Sequence, residues 1–313
     1  MEIVQIGQTD LMVSTLCFGA MYLGTKQTKA ESYRLLDQFT AAGGNFFDSA
    51  NIYAHWILGG LGGESETILG SWMKERKNRE KVHIATKVGF GYQEVRSSLR
   101  AAVIEEECNK SLTRLGIDTI DLYYAHNDDR STPLEETLEA FYRLKKMGKI
   151  RYIGASNYLA WRLEESRCIS QSNDWLEYCC IQQRHSYLRK KTGTSFDPQI
   201  AANDDLMDYC RNRDIQIVAY SALLGGVYTR DDVFLPEQYH GTDTKNRLEV
   251  LKSVASDIGA TPNQVVLAWM LKSDPFVLPL VAASSTEQME ENINALEVNL
   301  TIEQMENLTN AGP

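Results

Sequence analysis

Residues 83–125 read HIATKVGFGYQEVRSSLRAAVIEEECNKSLTRLGIDTIDLYYA, and they contain one strand–helix–strand unit. The apolar runs 83–86 and 122–125 have the length of buried strands. Between them, segment 97–115 carries apolar side chains mostly three or four residues apart, which is typical of an amphipathic helix. This unit predicts two parallel strands with a helix packed across them.

The same alternation extends along the whole chain. Candidate strands lie at 16–18, 46–48, 83–86, 122–125, 152–154, 179–181, 217–219 and 276–280. Helix-period segments lie at 29–42, 64–77, 97–115, 133–146, 159–172, 204–213, 246–258 and 286–295. Eight strand–helix units predict an α/β fold of the (β/α)₈ TIM-barrel class, with residues 1–313 forming one domain.

An open, doubly wound sheet is the competing architecture. Such a sheet normally carries a G-x-G-x-x-G motif after its first strand, whereas residues 17–21 read CFGAM. The barrel is therefore favoured, with three additions to the eightfold pattern. These are an N-terminal β-hairpin at 3–13 that plugs the bottom of the barrel, an extra helix at 261–272 and a C-terminal helix at 301–309.

Composition narrows the class of protein. The formal net charge is −10 and no long basic run occurs, which argues against a nucleic-acid partner. No apolar stretch approaches the roughly 20 residues that cross a bilayer. Six cysteines without a C-x-x-C pair, and no visible signal peptide, predict reduced thiols in a cytoplasmic protein. Five scattered histidines form no ligand motif, so no metal is expected.

Polar side chains follow the second, third and fourth predicted strands. Asp48 and Tyr53 come after the second strand, Lys87 ends the third, and His126 follows the fourth. Functional side chains of such barrels lie at the carboxyl ends of the strands, so these four are expected around one spot. Taken singly, each has an ordinary structural explanation as a turn, surface or packing residue; the combination points to chemistry.

These residue types suit proton donation. A tyrosine hydroxyl has a pKa near ~10 and is a weak acid at neutral pH. A neighbouring ammonium favours the phenolate, so Lys87 is expected to make Tyr53 a readier donor, with Asp48 holding Lys87 in place. His126 can hydrogen-bond either the phenol or a substrate oxygen.

At this point the sequence resembles the aldo-keto reductases over essentially the whole chain. The motifs that carry the resemblance are FDSANIY at 47–53, TK at 86–87, YAH at 124–126 with Asp129, GASNY at 154–158, AYSAL at 219–223, and EQ at 287–288 with EN at 291–292. The resemblance implies reduction of an aldehyde or ketone with NADP, or with NAD as the alternative. Tyr53 would be the general acid of a tetrad completed by Asp48, Lys87 and His126.

The resemblance also implies the residues that contact the dinucleotide. The nicotinamide half would meet Ser156, Asn157, Gln182 and a stacking ring at Tyr220. The full implied set is Gly19, Met21, Asp48, Ser156, Asn157, Gln182, Tyr220, Ser221, Leu223, Gly225, Ser284, Gln288, Glu291 and Asn292.

Two positions depart from the family pattern. Many members carry an arginine near 283–285 or at 288 to bind the 2′-phosphate of NADP, and this chain has none there. His185 stands where many relatives have a tyrosine.

The segment 54–63, AHWILGGLGG, is longer than the resemblance leads us to expect. It contains four glycines but no following Lys-Ser/Thr, so a flap is favoured over a phosphate loop. Trp56 either stacks on a substrate, including the apolar face of a sugar, or anchors this loop. Together with Tyr53 and His126, it forms the expected substrate-binding set.

The leading interpretation is therefore an NAD(P)H-dependent reductase of a small carbonyl compound. The alternative is a cofactor-binding regulatory or channel-associated barrel subunit with little turnover; a metal-dependent barrel enzyme ranks last. The substrate, the physiological direction and the oligomeric state stay open at this level.

Overall fold

Eight parallel strands close into a barrel in the computed structural model, which describes residues 1–312. Two further strands, β1 (Ile3–Gln5) and β2 (Met12–Ser14), form a separate antiparallel hairpin. The barrel strands are β3 (Cys17–Gly19), β4 (Phe46–Asp48), β5 (His83–Val88), β6 (Ile120–Ala125), β7 (Ile150–Ser156), β8 (Tyr178–Arg184), β9 (Gln216–Tyr220) and β10 (Val277–Val281). Each barrel strand pairs with its sequence neighbours and β10 returns to β3, so the predicted (β/α)₈ barrel is confirmed.

Helices alternate with these strands around the barrel. They are α1 (Lys29–Ala41), α2 (Glu64–Arg76), α3 (Ala101–Leu115), α4 (Leu134–Lys146), α5 (Ala160–Asn173), α6 (Asp204–Arg213), α7 (Thr244–Ile258), α8 (Pro262–Leu271), α9 (Thr286–Asn294) and α10 (Ile302–Asn310). Both predicted extra helices, α8 and α10, are present, and each begins with a capping box. Within residues 1–312, none of the helices has the length and apolar character needed to cross a membrane.

The expected beginning of α3 at residue 97 is wrong. The helix begins at Ala101, because residues 97 and 98 are held by the preceding loop. The Ser97 hydroxyl and the Ser98 amide both donate to the carbonyl of Gly89, each at 2.9 Å. These bonds from a side-chain hydroxyl and a backbone amide to one loop carbonyl keep the segment out of the helical ladder.

The N-terminal hairpin closes the bottom of the barrel, as predicted. Its turn is fixed by the Ile6 amide, which donates to the Leu11 carbonyl at 3.0 Å. Ile6, Leu11 and Val13 are fully buried and pack in one cluster with residues of the barrel interior. The strand residues in this cluster are Cys17, Phe46, Ala85, Leu122, Tyr124, Cys180, Val218 and Leu278. The carboxyl ends of the strands remain as the end that can hold a site.

The plug yields a stability prediction. Ile6→Ala should lower the free energy of unfolding by about 2–4 kcal/mol, because it removes buried methyl groups and leaves a cavity. The matched control is Ile3→Ala in the same hairpin, where the side chain is 45% exposed, against 0% for Ile6. We expect its cost to stay below about 1 kcal/mol. Urea unfolding of the three proteins measures both, and equal losses would contradict the burial argument.

Candidate active site

Lys87 lies at the centre of the candidate site. It belongs to β5 and its side chain has 0% exposure, as does that of Asp48 at the end of the adjacent strand β4. Its ammonium group donates to Asp48 Oδ2 at 2.5 Å, to the Ser49 carbonyl at 2.7 Å and to the Tyr53 hydroxyl at 2.8 Å. All three protons of the buried ammonium therefore have acceptors, which is the condition for burying a charge.

The turn after β4 brings Tyr53 back to Lys87. The Ser49 amide donates to the Ala85 carbonyl at 2.8 Å, and the Asn51 amide donates to the Lys87 carbonyl at 3.2 Å. These two bonds hold the turn alongside β5. They place the Tyr53 hydroxyl so that it also donates to Asp48 Oδ2 at 3.3 Å. The predicted Asp48, Lys87 and Tyr53 cluster is present in the structure.

His126 lies beside this cluster at the end of β6. Its ring centroid is 6.0 Å from that of Tyr53 and 4.7 Å from that of Phe90, with edge-to-face geometry in both cases. The His126 Nδ1 atom is buried without a hydrogen-bond partner within residues 1–312, and no bond joins the ring to the Tyr53 hydroxyl. Of the two contacts expected for His126, the one to the phenol is therefore not formed in this structure.

Burial sets the protonation states in the cluster. It raises the pKa of Tyr53 well above its usual value, and the adjacent Asp48 carboxylate raises it further. It lowers the pKa of His126 well below its usual value, assisted by the Lys87 charge. The pKa of Tyr53 is therefore raised on balance and not lowered as the adjacent ammonium alone would predict, because desolvation and the Asp48 charge dominate. Tyr53 is protonated and His126 is neutral near neutral pH.

The residues expected around the nicotinamide lie on the strands next to this cluster. The Asn157 side-chain oxygen accepts from the Tyr220 hydroxyl at 2.7 Å and from the Ile200 amide at 3.1 Å. This contact fixes the Tyr220 ring at the end of β9, where one face could receive a planar group. Gln182 donates to Asp48 Oδ1 at 2.9 Å, and Ser156 is buried beside Asn157. The sequence did not indicate the contact between Gln182 and Asp48.

The segment after β9 is an irregular turn that could hold an anion. Positive φ angles occur at Ser221 (57°), Gly225 (72°) and Gly226 (99°), within and before a short 3₁₀ turn at Leu224–Gly226. A Cβ at Gly225 would meet no atom within 4 Å, so this backbone faces open space. Leu223 is half-buried in the same turn. Turns that combine right- and left-handed residues direct amide groups to one side, which fits a pyrophosphate.

The corner between β10 and α9 carries the expected adenosine contacts. The amide and the hydroxyl of Ser284 both donate to Gln288 Oε1 at 2.8 Å, at the N-terminus of α9. Glu291 Oε1 accepts from the Thr261 hydroxyl at 2.6 Å, and Asn292 donates to the Ala282 carbonyl at 3.2 Å. Ser284, Gln288 and Asn292 could hold a dinucleotide ribose with their neutral side chains, together with the Glu291 carboxylate as an acceptor and the N-terminus of α9.

Gly19 and Met21 lie at the first barrel strand. Gly19 pairs with Asp48 across β3 and β4, and the Leu280 side chain occupies the space that a Cβ at Gly19 would need. Met21 is half-buried directly after that strand. Both residues thus lie at the carboxyl end of β3, next to Asp48.

Two buried carboxylates behind the site were missed in the sequence. Glu66 of α2 has 0% exposure and accepts from the Thr86 hydroxyl at 2.5 Å and from Arg114 Nε at 2.6 Å. Glu107 of α3 is 1% exposed and binds Asn51. A glutamate within an amphipathic helix is ordinarily a surface residue. For Glu107 the available signal was its place beside Cys108 on the apolar face of α3.

Comparison with known proteins agrees with this geometry. The sequence model of the Aldo/keto reductase family matches residues 15–312. The aldo-keto reductase str7 of Strobilurus tenacellus is 32% identical, over 96% of this chain and 89% of that protein. The aryl-alcohol dehydrogenase [NADP(+)] of Phanerodontia chrysosporium is 27% identical, over 97% of this chain and 83% of that protein.

A solved structure shows the same likeness. The crystal structure of the thermostable aldo-keto reductase Tm1743, in complex with the inhibitor epalrestat, superposes with a TM-score of 0.79 at 28% identity. The match covers 100% of both chains. This chain therefore belongs to the aldo-keto reductase family and is an oxidoreductase of carbonyl substrates.

Proposed function

We propose that this enzyme reduces an aldehyde or ketone to the alcohol, with Tyr53 as the proton donor. The observation that carries the proposal is the 2.8 Å contact between the Tyr53 hydroxyl and the buried Lys87 ammonium. When bound, a reduced nicotinamide would be the source of hydride for the carbonyl carbon, and Tyr53 would give its proton to the carbonyl oxygen.

The four residues of the tetrad have separate roles in the proton transfer. Tyr53 donates it, and the Lys87 ammonium stabilises the phenolate that remains, because opposite charges attract strongly at a buried site. Asp48 fixes Lys87 within hydrogen-bond distance of the phenol. His126 is neutral, so its ring can hydrogen-bond the substrate oxygen without adding a charge to the pocket. Such a positioned donor contributes about 10²–10⁴ in rate.

We propose NADPH as the preferred hydride source, with NADH as the alternative. The support is the name of the Phanerodontia chrysosporium relative, which links that enzyme to NADP. The β10–α9 corner provides Ser284 and Gln288 but no arginine or lysine at 282–288. A 2′-phosphate would therefore be held by neutral donors and the N-terminus of α9.

The alternative of a regulatory or channel-associated subunit has less support. Asp48, Tyr53 and Lys87 are joined by direct hydrogen bonds, an arrangement suited to turnover. The named relatives are a reductase and a dehydrogenase. We therefore keep catalysis as the proposed function.

For the substrate, we propose a small carbonyl compound that contacts Trp56, with sugar aldehydes among the candidates. Trp56 lies in the turn after Tyr53, is 48% exposed and meets the Tyr53 ring edge-on at 6.3 Å between centroids. An exposed indole beside the proton donor can cover the apolar face of a substrate.

Replacing the proton donor should abolish most of the reduction. Tyr53→Phe is expected to lower kcat by at least about 10²-fold, because hydride transfer then lacks its proton donor. The dissociation constants of NADPH and NADH should change by less than about twofold. A panel of aromatic, aliphatic and sugar aldehydes assayed with both dinucleotides measures this, with Tyr142→Phe on the outer helix α4 as control. Unaltered turnover in Tyr53→Phe would refute the proposed role, and equal efficiency with both dinucleotides would refute the preference for NADPH.

The raised pKa of Tyr53 predicts a proton donor that persists into alkaline solution. A phenol is protonated below its pKa, so raising that pKa extends the range in which it can donate. We expect no ionisation of Tyr53 below about pH 10. The check is a tyrosinate absorbance titration of the wild type minus that of Tyr53→Phe. Phenolate absorbance in this difference by about pH 8 would contradict the assignment of burial as the dominant effect.

Trp56→Ala tests the role of the segment 54–63 in substrate binding. Losing an aromatic contact should raise the KM for the carbonyl by about tenfold while the melting temperature stays constant. Leu58→Ala is the matched control, because its side chain lies in the same segment and is fully exposed. Constant KM with a lower melting temperature would instead favour the loop-anchoring role.

A further inference from the structure

Glu107 is a buried charge that the tetrad does not use directly. Its Oε2 atom accepts from Asn51 Nδ2 and from the Tyr92 hydroxyl, both at 2.7 Å. Its Oε1 atom accepts from Lys110 at 2.9 Å. Burial opposes ionisation, but the bonds from Tyr92, Lys110 and Asn51 keep the pKa of Glu107 below its usual value. The side chain is therefore a carboxylate with three donors.

Asn51 connects this carboxylate to the catalytic turn. It lies between Asp48 and Tyr53 in sequence, and its backbone amide donates to the Lys87 carbonyl at 3.2 Å. Its side-chain oxygen is buried without a partner within residues 1–312, so the bond to Glu107 is the one that orients the amide. Rotating the amide would place its oxygen against a carboxylate. Glu107 thus fixes the direction of Asn51.

Tyr92 connects the same carboxylate to the neighbouring loops. Ala50, Ile52 and Tyr92 form a small buried cluster, and the Tyr53 ring packs against it. The Tyr92 ring also lies against Gly62, where segment 54–63 returns to the barrel. One carboxylate therefore joins the turn that carries Tyr53, the loop at 90–95 and the end of segment 54–63.

We propose that Glu107 is a positioning residue, which acts through Asn51 and Tyr92 to hold the Tyr53 hydroxyl against Lys87. It does not touch the reacting groups. The kinetic part of this inference rests on the proposed function of Tyr53 as proton donor. Preorganised hydrogen bonds behind a proton donor maintain the sub-ångström placement on which its rate depends.

A glutamine cannot keep all three bonds of the carboxylate in their present arrangement. If its oxygen meets Asn51 and Tyr92, its amide nitrogen faces the Lys110 ammonium. If it is turned around, the amide nitrogen faces Asn51 and Tyr92, so the Asn51 amide must flip and the Tyr92 hydroxyl must rotate for both to accept. The first orientation opposes two donors and the second turns Asn51 around, and both lose the bonds to a charged acceptor, so the turn that carries Tyr53 should shift.

The matched pair of variants is Glu107→Gln and Glu106→Gln. Both glutamates contact Lys110, but the Glu106 side chain is 68% exposed and that of Glu107 is 1% exposed. We expect Glu107→Gln to lower kcat about tenfold, with the dissociation constant of the dinucleotide within about twofold of wild type. Glu106→Gln should retain wild-type kcat, because an exposed ion pair contributes little.

A double substitution separates positioning from general destabilisation. If Glu107 acts through Asn51, then Glu107→Gln combined with Asn51→Ala should lose no more kcat than the more damaging single variant. Turnover is measured per folded molecule, at a temperature below the unfolding transition of every variant. If Glu107→Gln does not fold, Tyr92→Phe removes one of the three bonds and should lower kcat about threefold.

A titration that needs no turnover keeps the two proposals distinguishable. In the Glu107→Gln background, Tyr53 should ionise at lower pH than in wild type, because the displaced hydroxyl gains contact with water. A shifted titration in a protein without turnover would sustain the positioning role and refute the proposed function. Unchanged kcat per folded molecule, together with an unchanged Tyr53 titration, would overturn the positioning role.

Discussion

A lysine ammonium buried in a protein interior must be compensated, and the compensation of Lys87 organises this enzyme. Removing an ion from water costs several kcal/mol, which only a close counter-charge and full hydrogen bonding offset. Asp48 provides the counter-charge, while the Ser49 carbonyl and the Tyr53 hydroxyl accept the other two hydrogen bonds of the ammonium. The acceptors come from one strand end and the turn that follows it, so satisfying the charge also brings the phenol to its place.

The same burial acts in opposite directions on the two titrating rings. Desolvation disfavours whichever form carries a charge, so it keeps Tyr53 as a neutral phenol and His126 as a neutral imidazole. The pocket consequently holds the protonated phenol of Tyr53 next to the neutral ring of His126, which can hydrogen-bond a substrate oxygen. Because this ring carries no charge, it does not compete with Lys87 for Asp48. A more exposed site would weaken this control, because an exposed imidazole has a pKa near ~6.5 and would be partly charged near neutral pH.

Much of the fold and the centre of the site could be predicted from the sequence, for physical reasons. Strand and helix periods are local properties, and parallel strands in a barrel bring their carboxyl ends together, so Asp48, Lys87 and Tyr53 could be grouped without coordinates. The direction of the Tyr53 pKa shift could not be obtained in this way, because it depends on burial in three dimensions. Neither could the carboxylate of Glu107, since its partners Asn51 and Tyr92 are 56 and 15 residues away.

The contrast between the two ends of the barrel follows from what fills them. At the bottom, Ile6, Leu11 and Val13 complete an apolar layer that excludes polar chemistry. At the top, the interior is occupied by Lys87 and Asp48, whose charges must be held by surrounding hydrogen bonds rather than by packing alone. Hydrogen bonds are directional, so the helices behind the upper end contribute polar anchors to the strands and to the turns after them, as Glu66 does for Thr86 of β5. Glu66 and Glu107 thus hold the charged pair indirectly, because each binds a residue beside it, Thr86 or Asn51, and neither touches the pair itself.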